Sequence, residues 1–487
     1  MNYIKQLAGQ TAVYGLGIVI PRLLNFLLLT PFYTRIFTKA EYGVITELYA
    51  YVVFLMVILT YGMETGFFRY ADKNHNNKNV YFSAVISLAL STLVFLFISI
   101  IFSSQIADII DYPTHYEYII YIGLIVGLDA FTAIPFARLR LENKALKYAI
   151  IRIFEVIINI GANWLFLFYC PRHYNEFEIV NLIYNPEVGV GYVFISNLIA
   201  SIFKVLALSR EIILIDGKFD FILWRKMLKY SFPLLIAGLA GTINEALDRV
   251  LLKHLIPAES SPIEQLGIYG ANYKLAVLMT LFIQMFRYAA EPFFFSKKDE
   301  VNARKIYAQV MNYFVFCGMV IFLLVMLFID VFKLFIGADF REGIAITPII
   351  LMANLFVGVF FNLSIWYKLT NKTMYGAYLV MIGAFLTILV NYLFVPQFGY
   401  YAAAWGHIIS YSVMVVLSFI YGQKYFTIPY DVKRILLYVI IALTFYILSL
   451  KLDINTIRIK YLINSIIVMV YVGIFYILEK RMIFKKL

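Results

Sequence analysis

Long apolar runs dominate this chain. Stretches of about 20 residues, each enough to carry a helix across roughly 30 Å of hydrocarbon, recur at approximately 11–34, 43–65, 80–103, 118–139, 147–169, 188–209, 230–254, 266–290, 307–329, 345–367, 375–395, 400–421, 434–450 and 459–478. A backbone in lipid must satisfy every N–H and C=O within itself, so such runs predict helices and exclude open sheets and lipid-exposed loops. The pattern therefore predicts an all-α polytopic membrane protein of about fourteen spans. Composition agrees: 62% of residues are hydrophobic and only 14% charged, more apolar surface than a water-soluble domain can bury.

Charge sets the expected orientation, because Lys and Arg are retained on the cytoplasmic side. With the N-terminus inside, the inner segments hold Lys5; Arg69, Lys73 and Lys78; Arg138, Arg140, Lys144 and Lys147; the stretch from Lys204 to Lys229; Arg287 to Lys305; Lys368 and Lys372; Lys424, Lys433 and Arg434; and Lys480 to Lys486. That is about 28 basic residues against about 9 outside. Outer loops are short and often acidic, as at Asp108, Asp111 and Glu117, or Glu176, Glu178 and Glu187. The expectation is an inner-membrane protein with both termini in the cytoplasm. No small-residue cleavage site follows the run from Thr11 to Thr34, which is expected to remain as the first span. The net charge of +12 is spread over short clusters with no RNA-binding signature, so nucleic acid is not an expected partner. Cys170 and Cys317 form no CxxC and have no histidine cluster nearby, so neither a metal site nor a cofactor is expected.

Transporters are commonly built from repeats. Arg140-Leu141-Glu142-Asn143-Lys144 returns 228 positions later as Lys368-Leu369-Thr370-Asn371-Lys372, and Asn163-Trp164-Leu165-Phe166 returns at the same offset as Asn391-Tyr392-Leu393-Phe394. Gly43 with Tyr49 and Gly267 with Tyr273 are related by 224 positions. These matches predict two six-helix lobes in the same orientation, at 1–209 and 230–421. Residues 210–229 are the expected cytoplasmic linker, and 422–487 two additional C-terminal helices.

An ionisable side chain in hydrocarbon costs about 2.5–3.5 kcal/mol on insertion scales, so each needs a partner or a hydrated cavity. Such residues concentrate in the first lobe and the next two spans: Arg22, Glu64, Asp129, Arg152, Glu155, Glu245, Asp248, Arg249 and Lys274. Arg22 follows Pro21 near mid-depth, where a proline invites a kink beside a cavity, and its planar fork suits a diphosphate. A structural pair with Asp129, at similar depth in the fourth run, is the competing reading. Glu245 and Arg249 stand i, i+4 and can neutralise one another, leaving Asp248 to find another partner. Two functional readings follow: an anion bound at Arg249 and Lys274, or a coupling proton or sodium ion held at Glu245 and Asp248, with Asp129 a third candidate for that role. A closed structural network is the bland alternative. Arg152 and Glu155, at i, i+3, read as a local pair, and His407 as a packed histidine.

Three stretches resemble the bacterial polysaccharide-transport family, the Wzx-type lipid-linked oligosaccharide flippases of the MOP superfamily, relatives of lipid II flippases and MATE exporters. They are Arg35-Ile36-Phe37 through Glu41-Tyr42-Gly43; Asp248-Arg249 through Leu266-Gly267-Ile268-Tyr269 to Pro292-Phe293; and Val395-Pro396-Gln397-Phe398-Gly399 with Ala402-Ala403-Ala404. Pro21-Arg22-Leu23-Leu24-Asn25-Phe26 is also similar to the basic first-helix motif of lipid II flippases, with Asn25 replacing the usual small residue. The resemblance implies two six-helix bundles in a V-shaped, MATE-like arrangement plus two C-terminal helices. It also implies alternating access, and an undecaprenyl-diphosphate-linked oligosaccharide flipped to the periplasmic leaflet for O-antigen (lipopolysaccharide), capsule or exopolysaccharide biosynthesis. Membrane lipid, and other membrane proteins of polysaccharide assembly, are the implied company.

Two other classes compete. A MATE-like, cation-coupled multidrug exporter should have a cavity governed by unpaired acids and usually stops at twelve spans. A membrane glycan polymerase or ligase should carry its catalytic residues on a large outer loop, and the longest here, about 170–187, is small. No catalytic residue is expected, and the chain reads as a transporter and not an enzyme.

Overall fold

Helices form every regular element among the residues that the computed structural model describes, namely 15, 17, 19–71, 78–213, 217–452 and 456–484. Among these, eleven helices are long and apolar enough to cross a membrane. A twelfth is added if Glu178–Val188 and Gly191–Ala207, bent by 119°, count as one span. These twelve coincide with twelve of the expected runs. The other two depart from expectation for separate reasons. The run from 11 begins outside the described residues, as do Lys5, Lys73 and Lys486. The run at 230–254 lies in a 35-residue helix, Phe221–Leu255, which is long enough to span but is diluted by Asn244, Glu245, Asp248 and Arg249. Polar residues along one spanning helix are what a hydrated or polar neighbourhood inside a bundle requires.

Contacts divide the chain into two units, Met1–Val250 and Leu251–Leu487. In the first, α1 (Thr30–Ile36), α2 (Lys39–Thr60), α3 (Met63–Tyr70), α4 (Lys78–Ile101), α5 (Tyr116–Leu141), α6 (Ala145–Trp164), α7 (Gly191–Ala207) and most of α8 (Phe221–Leu255) follow in order. The expected irregularity beside Pro21 lies instead just ahead of Pro31. Residues Asn25–Leu29 form a π-turn in which the Thr30 N–H reaches the Asn25 carbonyl. Leu165–Tyr169, ahead of Pro171, repeats the device, with the Cys170 N–H on the Leu165 carbonyl. Proline has no N–H to give its own turn, and the wider turn before it keeps the neighbouring carbonyls engaged. Gly62, at φ +69° between α2 and α3, sits where a Cβ would meet the Ser231 carbonyl oxygen and the Leu234 Cβ at 3.1 Å each. Only glycine accepts both that conformation and that contact. Gly123 and Gly127 of α5 let α4 approach closely, over Ser99 and over Thr92 and Leu96, the small-residue packing expected of helices in lipid.

The second unit holds α9 (Pro262–Tyr273), α10 (Val277–Ser296), α11 (Ala303–Leu327), α12 (Thr347–Leu363), α13 (Ile365–Leu369), α14 (Thr373–Phe398), α15 (Tyr400–Tyr425), α16 (Val432–Leu450) and α17 (Ile457–Phe484). Its core joins Met279 and Ile283 of α10 to Phe314, Met319 and Phe322 of α11 and to Leu351 and Leu355 of α12. Leu355 lies over Gly318, and Phe314 lies over Gly358, so α11 and α12 interlock through reciprocal glycines. The two last helices are tied down at both ends. Glu479 receives Arg434 at 3.0 Å and the Tyr438 hydroxyl at 2.8 Å. Asp330 receives Lys333 at 2.6 Å and Lys460 at 2.5 Å, beside a hydrogen bond that the Asn464 side-chain amide donates to the Leu327 carbonyl.

The two units share a local structure at the offset of the sequence duplication. Helix α5 ends at Leu141 and α6 begins at Ala145; α13 ends at Leu369 and α14 begins at Thr373. Asn143 and Asn371 both take φ +57°. Lys144 N–H reaches the Leu139 carbonyl and Lys372 N–H the Tyr367 carbonyl, each at 2.8 Å, while the asparagine N–H groups turn back to Arg140 and Lys368. This is the same Schellman ending twice, with asparagine supplying the left-handed residue. The cation before each turn also meets a glutamate of an earlier helix: Arg140 pairs with Glu64, and Lys368 with Glu291 at 2.7 Å.

The tie at Asp330 makes a prediction for the C-terminal helices. Hydrogen bonds from Lys333 first, and Lys460 second, hold the Asp330 carboxyl below its ordinary value. A group with a depressed folded-state pKa contributes stability that is complete above about pH 4 and is lost as pH falls through the folded-state value. Asp330→Asn should therefore lower stability in detergent by about 1 kcal/mol at neutral pH, and by progressively less in acid. Thermal unfolding across the acid range checks this, with equal losses at neutral and strongly acid pH as the contrary result.

Candidate functional site

Two helices of the first unit carry polar stripes. On α6, Arg152, Glu155, Asn159 and Asn163 recur at i, i+3, i+7 and i+11; on α7, Asn197, Ser201 and Lys204 recur at i, i+4 and i+7. Helical spacing places each set along one face, and the faces meet beside Asp129 of α5. Lys204 Nζ lies 2.5 Å from Asp129 Oδ1 and 2.7 Å from Glu155 Oε1. The Ser201 hydroxyl donates to the same Asp129 oxygen at 2.7 Å. Arg152 Nη1 takes the other Glu155 oxygen at 3.1 Å, and its guanidinium lies 4.1 Å from the centre of the Phe136 ring.

Two carboxylates thus face two cations, and the quartet is neutral. Lys204 is 1% exposed. Removing an ammonium from water costs several kcal/mol, which only close, hydrogen-bonded counter-charges offset. The polar seam continues along both stripes. Asn163, fully buried, gives its amide to the Asn159 carbonyl at 2.8 Å and the Asn159 side chain at 3.0 Å, and accepts the Tyr33 hydroxyl at 2.8 Å. Asn197 donates to the Tyr49 hydroxyl at 2.8 Å. Hydroxyls and carboxamides from α1, α2, α6 and α7 therefore line one interior region with the charge quartet at one end.

The residues singled out in the sequence fall differently. Asp129, weighed as a partner of Arg22 and as an ion-coupling acid, is held by Lys204 and Ser201; Arg22 is exposed on its helix. Arg249 Nη1 donates to the Glu245 main-chain carbonyl at 3.1 Å, and the Glu245 side chain is exposed while Asp248 is fully buried. The i, i+4 spacing thus yields a side-chain-to-backbone bond. Lys274 belongs to the second unit and stands exposed at the head of a short 3-10 turn, Lys274–Ala276, that interrupts its span between α9 and α10. Arg152 and Glu155 form their local pair, and His407 is packed between the rings of Tyr273 and Tyr411, 6.1 Å from each.

Lys204 is the residue that reading by chain position missed. Chain position places it with the basic cytoplasmic stretch, ahead of Arg210 and Lys218. Its immediate context, Ile202-Phe203-Lys204-Val205-Leu206, is apolar, and its register with Asn197 and Ser201 carries the signal of an inward face.

Comparison with known proteins follows the same lines. The family model described as polysaccharide biosynthesis protein matches residues 7–298. No curated protein matches the chain in sequence. Among solved structures, "Lipid II flippase MurJ, inward closed conformation" is similar with a TM-score of 0.74 at 15% identity, over 96% of this chain and 99% of that one. An inward-facing multidrug resistance MATE family transporter of the MOP superfamily gives 0.65 at 13% identity, over 83% and 97%. A MATE protein in complex with MaL6 gives 0.61 at 14% identity, over 85% and 95%. At such identities the structures show a shared fold, while the family match covers more than half of the sequence. The chain belongs to the polysaccharide biosynthesis protein family, and its many apolar helices take a fold shared with the MurJ and MATE structures.

Proposed function

We propose that this protein is a transporter of the MOP superfamily that flips an undecaprenyl-diphosphate-linked oligosaccharide from the cytoplasmic to the periplasmic leaflet by alternating access, in O-antigen, capsule or exopolysaccharide biosynthesis. The observation that carries the reading is the extent of the likeness. The match to the lipid II flippase covers 96% of the chain, whereas the first MATE match covers 83%. Both termini are read as cytoplasmic in a bacterial inner membrane, with lobes at 1–209 and 230–421, a linker at 210–229 and an appendix at 422–487. Arg22, Arg249 and Lys274 are the proposed ligands of the diphosphate, the arginines through their planar forks and the lysine as a point charge. Glu245 and Asp248 are the proposed seat of a coupling proton or sodium ion, and Asp129 serves by holding Lys204. An inside-negative potential favours outward passage of an anion by about 2.3 kcal/mol per charge per 100 mV. The fold is also shared, over less of the chain, with MATE transporters, and a cation-coupled multidrug exporter is the second reading.

Arg22→Ala, Arg249→Ala and Lys274→Ala should each reduce surface glycan at least about tenfold, a loss of about 1.4 kcal/mol or more, while lipid-linked precursor accumulates and membrane abundance is kept. Arg22→Lys should retain part of the activity. Glycan export measured beside protein abundance checks this; unchanged export in all three alanine variants, with altered drug susceptibility on deletion of the protein, would favour the exporter.

Orientation has its own test. Reporter fusions after Lys147, Lys218 and Lys298 should report cytoplasm, and fusions near Asp111, Glu178 and Glu259 periplasm. Two or more reversed signs would overturn the proposed topology.

A further inference from the structure

The buried quartet surrounds one cation with oxygen. Asp129 on α5 and Glu155 on α6 approach Lys204 Nζ at 2.5 and 2.7 Å, and the Ser201 hydroxyl shares the Asp129 oxygen at 2.7 Å. Carboxylate and hydroxyl oxygens are the donors that hard cations take. The ammonium among them is a compact point charge on a flexible stem. It arrives from α7, so three helices converge on a single positive charge. Lys204 is 1% exposed, while the side chains of Asp129 and Glu155 keep 27% and 15% of their exposure. Arg152 engages Glu155 from the other oxygen at 3.1 Å, leaving the ammonium as the charge that bridges the two acids.

We propose that Lys204 is a tethered cation: its ammonium holds a site that Asp129, Glu155 and Ser201 would otherwise offer to a free alkali-metal ion. The first unit thereby keeps its three helices joined without drawing on the sodium of its surroundings. Two carboxylates on separate helices repel when nothing positive lies between them, so removal of the lysine leaves a vacancy that a small cation can fill. The inference is independent of what the transporter carries.

The test uses the full-length protein in detergent, in mildly alkaline buffer so that the carboxylates stay ionised. Thermal unfolding is followed in sodium chloride and in choline chloride of equal ionic strength. Any difference that the wild type shows between the two salts, including one from sodium held at Glu245 and Asp248, should be left unchanged by Asp129→Asn. Lys204→Met should be destabilised in choline and recover by several degrees in sodium, saturably, and the Lys204→Met, Asp129→Asn double variant should lose that sodium-specific recovery. Equal behaviour of Lys204→Met in the two salts would overturn the proposal, as would a sodium-specific gain in the wild type that Asp129→Asn abolishes. If Lys204→Met is not recovered folded, Lys204→Gln is judged by the same comparison. Failure of both to fold even when prepared in sodium also counts against the proposal, since a free cation should then have served.

Discussion

A lipid interior offers no hydrogen bonds, and most of this structure follows from that constraint. Every described regular element is helical because the helix closes its own N–H and C=O groups. Where proline interrupts the ladder, the chain repairs it locally: the π-turns before Pro31 and Pro171 each bring an N–H back to a carbonyl five residues earlier. Hydroxyls follow the same rule, as when Thr34 and Ser196 donate to the carbonyls four residues before them, at 2.8 and 2.7 Å. With hydrogen bonding settled inside each helix, packing rests on shape, hence the close approaches at Gly123, Gly127, Gly318 and Gly358.

Charges cannot be settled within one helix so easily, and the chain treats them in two ways. Near helix ends they pair partly exposed: Arg140 with Glu64, Lys368 with Glu291, and Asp330 with Lys333 and Lys460. Deep inside the first unit they are enclosed. Glu47, fully buried, accepts the hydroxyls of Tyr51 at 3.0 Å and Tyr112 at 2.5 Å. Lys204 is enclosed by acids of two other helices. The enclosed groups bind helices to one another, because a partner lost in a low-dielectric interior is not replaced by water.

The duplicated turn shows how one solution serves two units. Asn143 and Asn371 end their helices in the same left-handed conformation, and each turn follows a cation held by a glutamate from an earlier helix. The asparagines deeper in the following helices match as well: Asn163 and Asn391 are both fully buried, and each gives its amide to the carbonyl four residues before. Repeated sequence here means repeated hydrogen bonding, which is a stronger correspondence than similar hydropathy.

From the sequence alone came the helical class, eleven of the spans (twelve with the bent pair counted as one), the repeated turn, the family resemblance, and the local pair of Arg152 with Glu155. All of these depend on residues near one another along the chain, or on apolar length that lipid reads directly. Tertiary structure decided which charges meet. Asp129 faces Lys204 and not Arg22 because α5, α6 and α7 pack together, a choice that no single helix's periodicity contains. Lys204, which chain position places with the basic cytoplasmic stretch, is the most enclosed charge of the quartet. Pairing between helices is settled by which faces come into contact, and in a chain so uniformly apolar many pairings bury similar area, so only the packed structure selects among them.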